Sequence, residues 1–302
     1  MENQLMNPAT GTLDALLPQE MARKAEEIGV KKANLDSLSM FVLAILAGAF
    51  IAQGALFATT VWTDTLGKIP WGLGRVVGGL AFTLGLVLVV VGGAELFTGN
   101  NLLIMAWASR RVTTAKVLRN WVIVYFGNLI GSLGTALIVV LSERFVFMAG
   151  GSIGLTALNV ANSKVHLGFI QAVMLGTLCN GLVCLAVWMT FSARTTVDRI
   201  AAIILPITAF VAAGFEHSIA NMYFIPVALF VKVRAPESFW QSIGKTAADF
   251  SDLTWSSFVF KNLIPVTLGN IIGGAVLVGA VYWVVYLRKQ PMKANPSTGP
   301  RA

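Results

Sequence analysis

Two acids and a histidine lie where an apolar chain should hold no ionisable group. Glu95, Glu216 and His217 fall inside long hydrophobic stretches. An ionisable side chain at membrane depth costs at least about 2.5 kcal/mol, so each must be paired and face the interior. Carboxylates lining a route would repel an anion, so the two acids read as structural. They are expected to accept hydrogen bonds from backbone freed where a helix breaks, with Asn100 and Asn221 shaping the same two breaks. His217 sits directly at the second break, which favours a functional role over a merely hydrogen-bonded core histidine. Burial disfavours its imidazolium and a neighbouring anion favours it, so occupancy and proton would be coupled. His217 is expected to offer a proton or a hydrogen bond to an anion, and Thr98, at the first break, a hydroxyl.

Other residues could line the same route. Asn180 is polar among apolar neighbours, and pore lining or an interhelical hydrogen bond fits it equally. Lys164 and His166 could draw anions to a vestibule, although plain solvation also accounts for a loop lysine. Leu96, Phe97, Phe82 and Phe210 could narrow a pore, strip water and exclude hydrated ions. Cys179 and Cys184 share one hydrophobic run and suit packing rather than a disulfide or a metal. No set of side chains suggests a metal, a cofactor or an intramembrane catalytic site. Asn7-Pro8-Ala9 resembles a water-channel signature but is single and lies in a polar tail.

The elements that must position these residues follow from composition. Of 302 residues, 56% are hydrophobic and 12% charged, against about 25% charged in a soluble domain. A lipid bilayer is therefore the expected solvent. The net charge of +8 lies mostly between spans, with no basic stripe interleaved with aromatics, so nucleic acid is excluded as a partner. Six apolar stretches are expected, near 38–62, 72–109, 117–141, 167–191, 199–232 and 257–287. The second breaks at Glu95-Leu96-Phe97-Thr98-Gly99-Asn100 and the fifth at Glu216-His217-Ser218. Non-helical backbone at that depth must line a cavity or be buried in protein. Residues 1–37 read as a cytoplasmic segment without a cleavable signal, 38–287 as the channel domain and 288–302 as a cytoplasmic tail. Leu17, Met21, Ala25 and Ile28 make an apolar stripe on a short charged helix at 16–29, lying on the membrane or the channel mouth. Of the 22 Lys and Arg, 14 fall on the side of the termini and 8 on the other, which puts both termini in the cytoplasm.

An internal repeat carries the most weight. Phe41-x-x-Ala44-x-x-x-Gly48 recurs as Phe169-x-x-Ala172-x-x-x-Gly176, and Gly93-x-Glu95 with Asn100 recurs as Gly214-x-Glu216 with Asn221. Asn120 with Gly127-Asn128-x-Ile130-Gly131 recurs as Asn262 with Gly269-Asn270-x-Ile272-Gly273. Three matches in the same order are hard to ascribe to chance. Each half holds an odd number of spans, so the repeat is inverted and a site is expected near the midplane at the broken helices. The fold class is an all-α integral membrane protein of six helices in two inverted three-helix repeats.

Several longer stretches resemble the formate/nitrite transporter family: Gly93-Ala94-Glu95-Leu96-Phe97-Thr98, Asn120-Trp121 with Tyr125-Phe126-Gly127-Asn128, Val183-Cys184-Leu185-Ala186-Val187-Trp188-Met189, and Gly214-Phe215-Glu216-His217-Ser218-Ile219-Ala220-Asn221-Met222. The resemblance runs from Leu17-Pro18 to Tyr282-Trp283 and is greatest to the formate channels. It implies an aquaporin-like protomer in a homopentamer of the bacterial inner membrane, with one pore per subunit and formate or a similar small anion as substrate. It also implies that His217 and Thr98 are the pore pair and that Phe82, Leu96, Phe97 and Phe210 form the constrictions. Lys164 and Asn180 are then vestibule residues, and the N-terminal segment a pH-dependent gate. Gly99-Asn100 departs from the formate channels, which carry Ser followed by Thr or Ser, towards the glycine of nitrite-channel relatives.

Overall fold

The computed structural model describes residues 15–63, 65, 68–143 and 148–288. Asn7-Pro8-Ala9 and nearly all of the tail expected at 288–302 lie outside the described residues.

Helix α1 (Pro18–Asn34) carries Glu20 in its first turn and Lys31 and Lys32 in its last, the distribution that suits a helix dipole. Among the described residues, five helices are long and apolar enough to cross a membrane: α2 (Ser37–Trp62), α3 (Trp71–Gly92), α5 (Thr114–Leu141), α7 (Phe169–Ser192) and α11 (Ser257–Tyr286). The last contains two π-helical stretches, Ser257–Leu263 and Ile272–Ala280. Between α3 and α5 lie a 3-10 turn, Gly99–Leu102, and the short α4 (Leu103–Ala108). Helix α6 (Ser152–Val165) precedes α7. Helices α8 (Thr196–Ala212) and α9 (Ser218–Arg234) have 17 residues each. At 1.5 Å per residue each falls short of the roughly 30 Å hydrocarbon core. The short α10 (Glu237–Ile243) follows.

Both interruptions fall where the sequence places them, and each starts with a glycine that a side chain would strain. Gly93 ends α3 at φ 78° and Gly214 follows α8 at φ 76°, a left-handed conformation open to glycine at no steric cost. Leu38, Phe57, Leu80, Ile138, Ile170, Leu205 and Val285 point outwards, as a lipid-facing or subunit-facing surface requires.

The inverted repeat is present, with one change of register. Glu95 N–H donates to Leu43 O and Glu216 N–H to Leu175 O. Gly131 approaches Ile45 and Ala49, and its counterpart Gly273 approaches Thr177 and Gly181. The partner of Ala44 is thus Gly176 rather than Ala172, one helical turn along from the sequence match. In the structural register Phe41 stands opposite Val173 and Gly48 opposite Asn180, so the residue types alone align the spans one turn away. The repeat also extends further towards the N-terminus than the sequence reading has it, because α1 stands to the first half as α6 stands to the second.

Candidate functional site

Backbone at the breaks is satisfied by two asparagines rather than by the acids expected to do so. Asn128 Oδ1 accepts from Phe97 N–H at 2.9 Å, while its Nδ2 donates to Ala44 O at 2.7 Å and Glu95 O at 2.9 Å. Asn270 mirrors it: Oδ1 accepts from Ser218 N–H at 2.9 Å, and Nδ2 donates to Gly176 O at 2.9 Å and Glu216 O at 3.0 Å. Each side chain ties a break to the preceding span, which is how non-helical backbone survives in lipid.

The acids belong to two matching charge clusters. Lys32 Nζ donates to Glu95 Oε1 at 2.8 Å and to Asn100 Oδ1 at 2.9 Å. Asn100 Nδ2 donates to Glu95 Oε2 at 2.7 Å and to Asn120 Oδ1 at 2.9 Å. In the second half, Lys164 Nζ donates to Glu216 Oε1 at 2.7 Å. Asn221 Nδ2 donates to Glu216 Oε2 and Asn262 Oδ1, both at 2.7 Å. Lys32 went unnoticed in the sequence, where it counts only as a basic residue near the first span. Its equivalence to Lys164 is structural: Asn262 Nδ2 donates to Lys164 O at 3.0 Å as Asn120 Nδ2 donates to Lys32 O at 3.3 Å.

Each cluster lines a cavity. The first, about 300 Å³, is bounded by α1 and the first break and includes Lys24, Lys32, Glu95, Leu96, Asn100 and Arg199. The second, about 210 Å³, includes Arg75, Phe82, Lys164, Phe210, Glu216 and His217. The two share no lining residue; the buried side chain of Leu96 lines the first, and those of Phe82 and Phe210 line the second. The Phe82 and Phe210 rings meet edge to face at 5.7 Å, and Phe210 lies over the His217 ring at 5.8 Å. Trp62 and Phe224 also line the second cavity and were not singled out in the sequence.

Thr98 and His217, both buried, meet Oγ1 to Nε2 at 3.1 Å. His217 Nδ1 accepts from Ala220 N–H at 3.1 Å, capping α9. Nδ1 therefore carries no proton, and the neutral ring must hold its hydrogen on Nε2, facing Thr98. The threonine hydroxyl then accepts from the imidazole and keeps its own hydrogen for another acceptor. A second ring proton would face the Ala220 N–H and break the cap. Thr98 O receives Asn180 Nδ2 and Cys184 Sγ, both at 3.3 Å, which fixes the loop that presents the hydroxyl.

Thr98, Phe97 and Asn180 line neither cavity. Phe97 turns into α5, against Tyr125 at 5.0 Å and Trp121 at 6.0 Å, and borders neither cavity. Asn180 is fully buried and donates to Asn270 O at 2.7 Å, the interhelical alternative of its two readings. His166 is exposed and lines neither cavity, with Nε2 3.0 Å from Asp252. The helix expected at 16–29 is present as α1, with Met21 and Ala25 buried against the protein and Leu17 exposed.

Two separate cavities lined by matching lysine–glutamate clusters, within an inverted repeat of membrane-spanning helices, fit a transport protein. A family model described as formate/nitrite transporter matches residues 19–284, and the chain belongs to that family. It is 49% identical to formate channel FocA of Escherichia coli K12 over 281 residues, 93% of this chain and 98% of the relative. Identity to FocA of Haemophilus influenzae is 44%, covering 88% and 93% of the two chains. Formate channel FocB of E. coli K12 is 41% identical, over 93% and 98%. Among solved structures, a pentameric formate channel with formate bound superposes with a TM-score of 0.77 at 46% identity, over 83% of this chain and 98% of that one. An FNT family ion channel gives 0.74 at 27% identity, over 88% and 98%.

Proposed function

We propose that this chain is a channel for small monovalent anions, formate foremost, acting as a homopentamer in the bacterial cytoplasmic membrane with both termini in the cytoplasm. The observation that carries this reading is the neutral Thr98–His217 pair, buried in a chain with two separate lysine-bearing cavities. An anion loses water on leaving a vestibule and needs a donor where it is most desolvated. Thr98 Oγ–H supplies that donor, and the Nε2–H of His217 orients it. Phe82, Leu96 and Phe210 form the apolar neck that bars hydrated inorganic ions. The named relatives support formate as the substrate. Gly99 lines the first cavity and favours nitrite as the second reading, since the formate channels carry serine there.

The test is anion uptake into proteoliposomes, formate against nitrite, for native protein and His217→Asn. Asparagine is a good N-cap and can keep the Ala220 bond, but it is too short to reach Thr98. We expect fast native formate uptake and a variant that folds, yet has an altered rate and altered pH dependence. Uptake of nitrite without formate would overturn the substrate. A variant indistinguishable from native would reduce His217 to a helix cap.

A further inference from the structure

The two vestibules mirror each other in their lysine–glutamate pairs but not in their remaining charges. In the first, Glu95 meets Lys32. This leaves Lys24 and Arg199 as two further cations on the same cavity wall. Lys24 Nζ spends one donor on Phe191 O at 2.7 Å and keeps two. The Arg199 guanidinium makes no hydrogen bond or ion pair among the described residues. The carboxylate next to it, Asp198, is turned onto the N–H groups of Arg194 and Thr195, at 3.1 Å and 2.9 Å. Burial, and then the Arg194 and Arg199 guanidiniums, hold the Lys24 ammonium below its ordinary range, as uncompensated positive charge must. In the second vestibule the additional cation is Arg75, and its guanidinium is used on Val211 O at 2.6 Å and Ala212 O at 3.1 Å.

The first cavity is also larger than a one-carbon anion requires. At about 300 Å³ it reaches the lower end of organic-ligand pockets, roughly 300–1,000 Å³. Ile28, Val89, Val90 and Leu96 give it apolar wall as well. Two cations in a cavity that also has apolar wall suit two carboxylates joined by a short carbon chain, whereas a spherical dianion would leave the apolar wall unused. Such a ligand could not pass on, because the neck would have to desolvate both charges at once.

We infer that the α1-side vestibule is a binding site for compact organic dianions, of the three- to four-carbon dicarboxylate class, held between Lys24 and Arg199 and blocking flux from that side. The inference rests on the channel reading for its consequence but not for the binding itself.

The probe is succinate, titrated calorimetrically into the detergent-solubilised full chain at fixed ionic strength, with sulfate as the dianion lacking a carbon chain. We expect saturable binding of one succinate per chain. Loss of one charge-assisted contact in Arg199→Gln or Lys24→Gln weakens affinity about 10–100-fold, and sulfate binds at least about 10-fold more weakly than succinate. Arg199 is exposed, so its variant folds, and retention of the native oligomer on gel filtration verifies this. Absence of saturable binding, equal affinity of native protein and Arg199→Gln, or equal binding of sulfate each overturns the site. A second arm measures formate uptake with succinate on the α1 side only, each variant normalised to its own uninhibited rate. Succinate that binds but slows no uptake overturns the block and leaves the site. Absence of formate flux overturns the substrate reading and leaves the titration intact.

Discussion

Replacing Glu216 by glutamine should destabilise the protein by about 3–5 kcal/mol, and the matching Glu95→Gln by about 2 kcal/mol. Three donors converge on the Glu216 carboxylate: Lys164 Nζ at 2.7 Å on Oε1, and Asn221 Nδ2 at 2.7 Å and Asn262 Nδ2 at 3.2 Å on Oε2. Glutamine has one acceptor oxygen, so its NH2 group must face either the ammonium or both asparagine amides. The pair is enclosed, with Lys164 14% and Glu216 6% exposed, and breaking a buried pair leaves an uncompensated charge, which sets the figure of about 3–5 kcal/mol. Lys32 is 28% exposed and retains Asn100 Oδ1 at 2.9 Å as a second acceptor. The loss of Glu95 is therefore limited to about 2 kcal/mol, the value of one charged hydrogen bond. The double variant Lys164→Met/Glu216→Gln removes the stranded ammonium and should recover at least about 2 kcal/mol relative to Glu216→Gln alone. Reversible SDS unfolding in mixed micelles gives the relative free energies. Equal costs at Glu95 and Glu216, or a double variant as costly as the two singles added, would refute the argument.

Thr98→Val keeps the shape of the side chain and removes its hydroxyl. Formate uptake in proteoliposomes should fall roughly tenfold, the equivalent of one hydrogen bond of about 1.4 kcal/mol, whereas Thr98→Ser should stay within about threefold of native. Asn270→Leu strands the Ser218 N–H and the carbonyls of Gly176 and Glu216. Its cost should be at least about 3 kcal/mol in the same SDS titration, with Asn128→Leu costing about as much. Gly99→Ser should fold, because its Cβ meets only Val187 at 3.6 Å, and the ratio of formate to nitrite uptake should rise as a donor is added to the first cavity.

The architecture was legible because membranes restrict the alternatives. Apolar length marks the spans, and the glycines at 93 and 214 mark where they break. What escaped was anything that depends on which way a side chain turns. Phe97 sits next to Thr98 in sequence, but the backbone between them is not helical, so no periodicity says that its ring joins Tyr125 while Leu96 faces a cavity. Asn180 could be read two ways because a span shows its polar residues without showing their partners. Its place in the repeat resolves this only once the register is known. In that register it stands opposite Gly48, while Gly274, against which it packs, stands opposite Ser132, which donates to Gly48 O at 3.1 Å. Each half thus fills one contact with one polar side chain, carried on opposite helices. Equivalent contacts between the two halves are conserved as geometry rather than as residue type. Lys32 illustrates the same point: its role becomes visible only when α1 is seen to occupy, in the first half, the place that α6 occupies in the second.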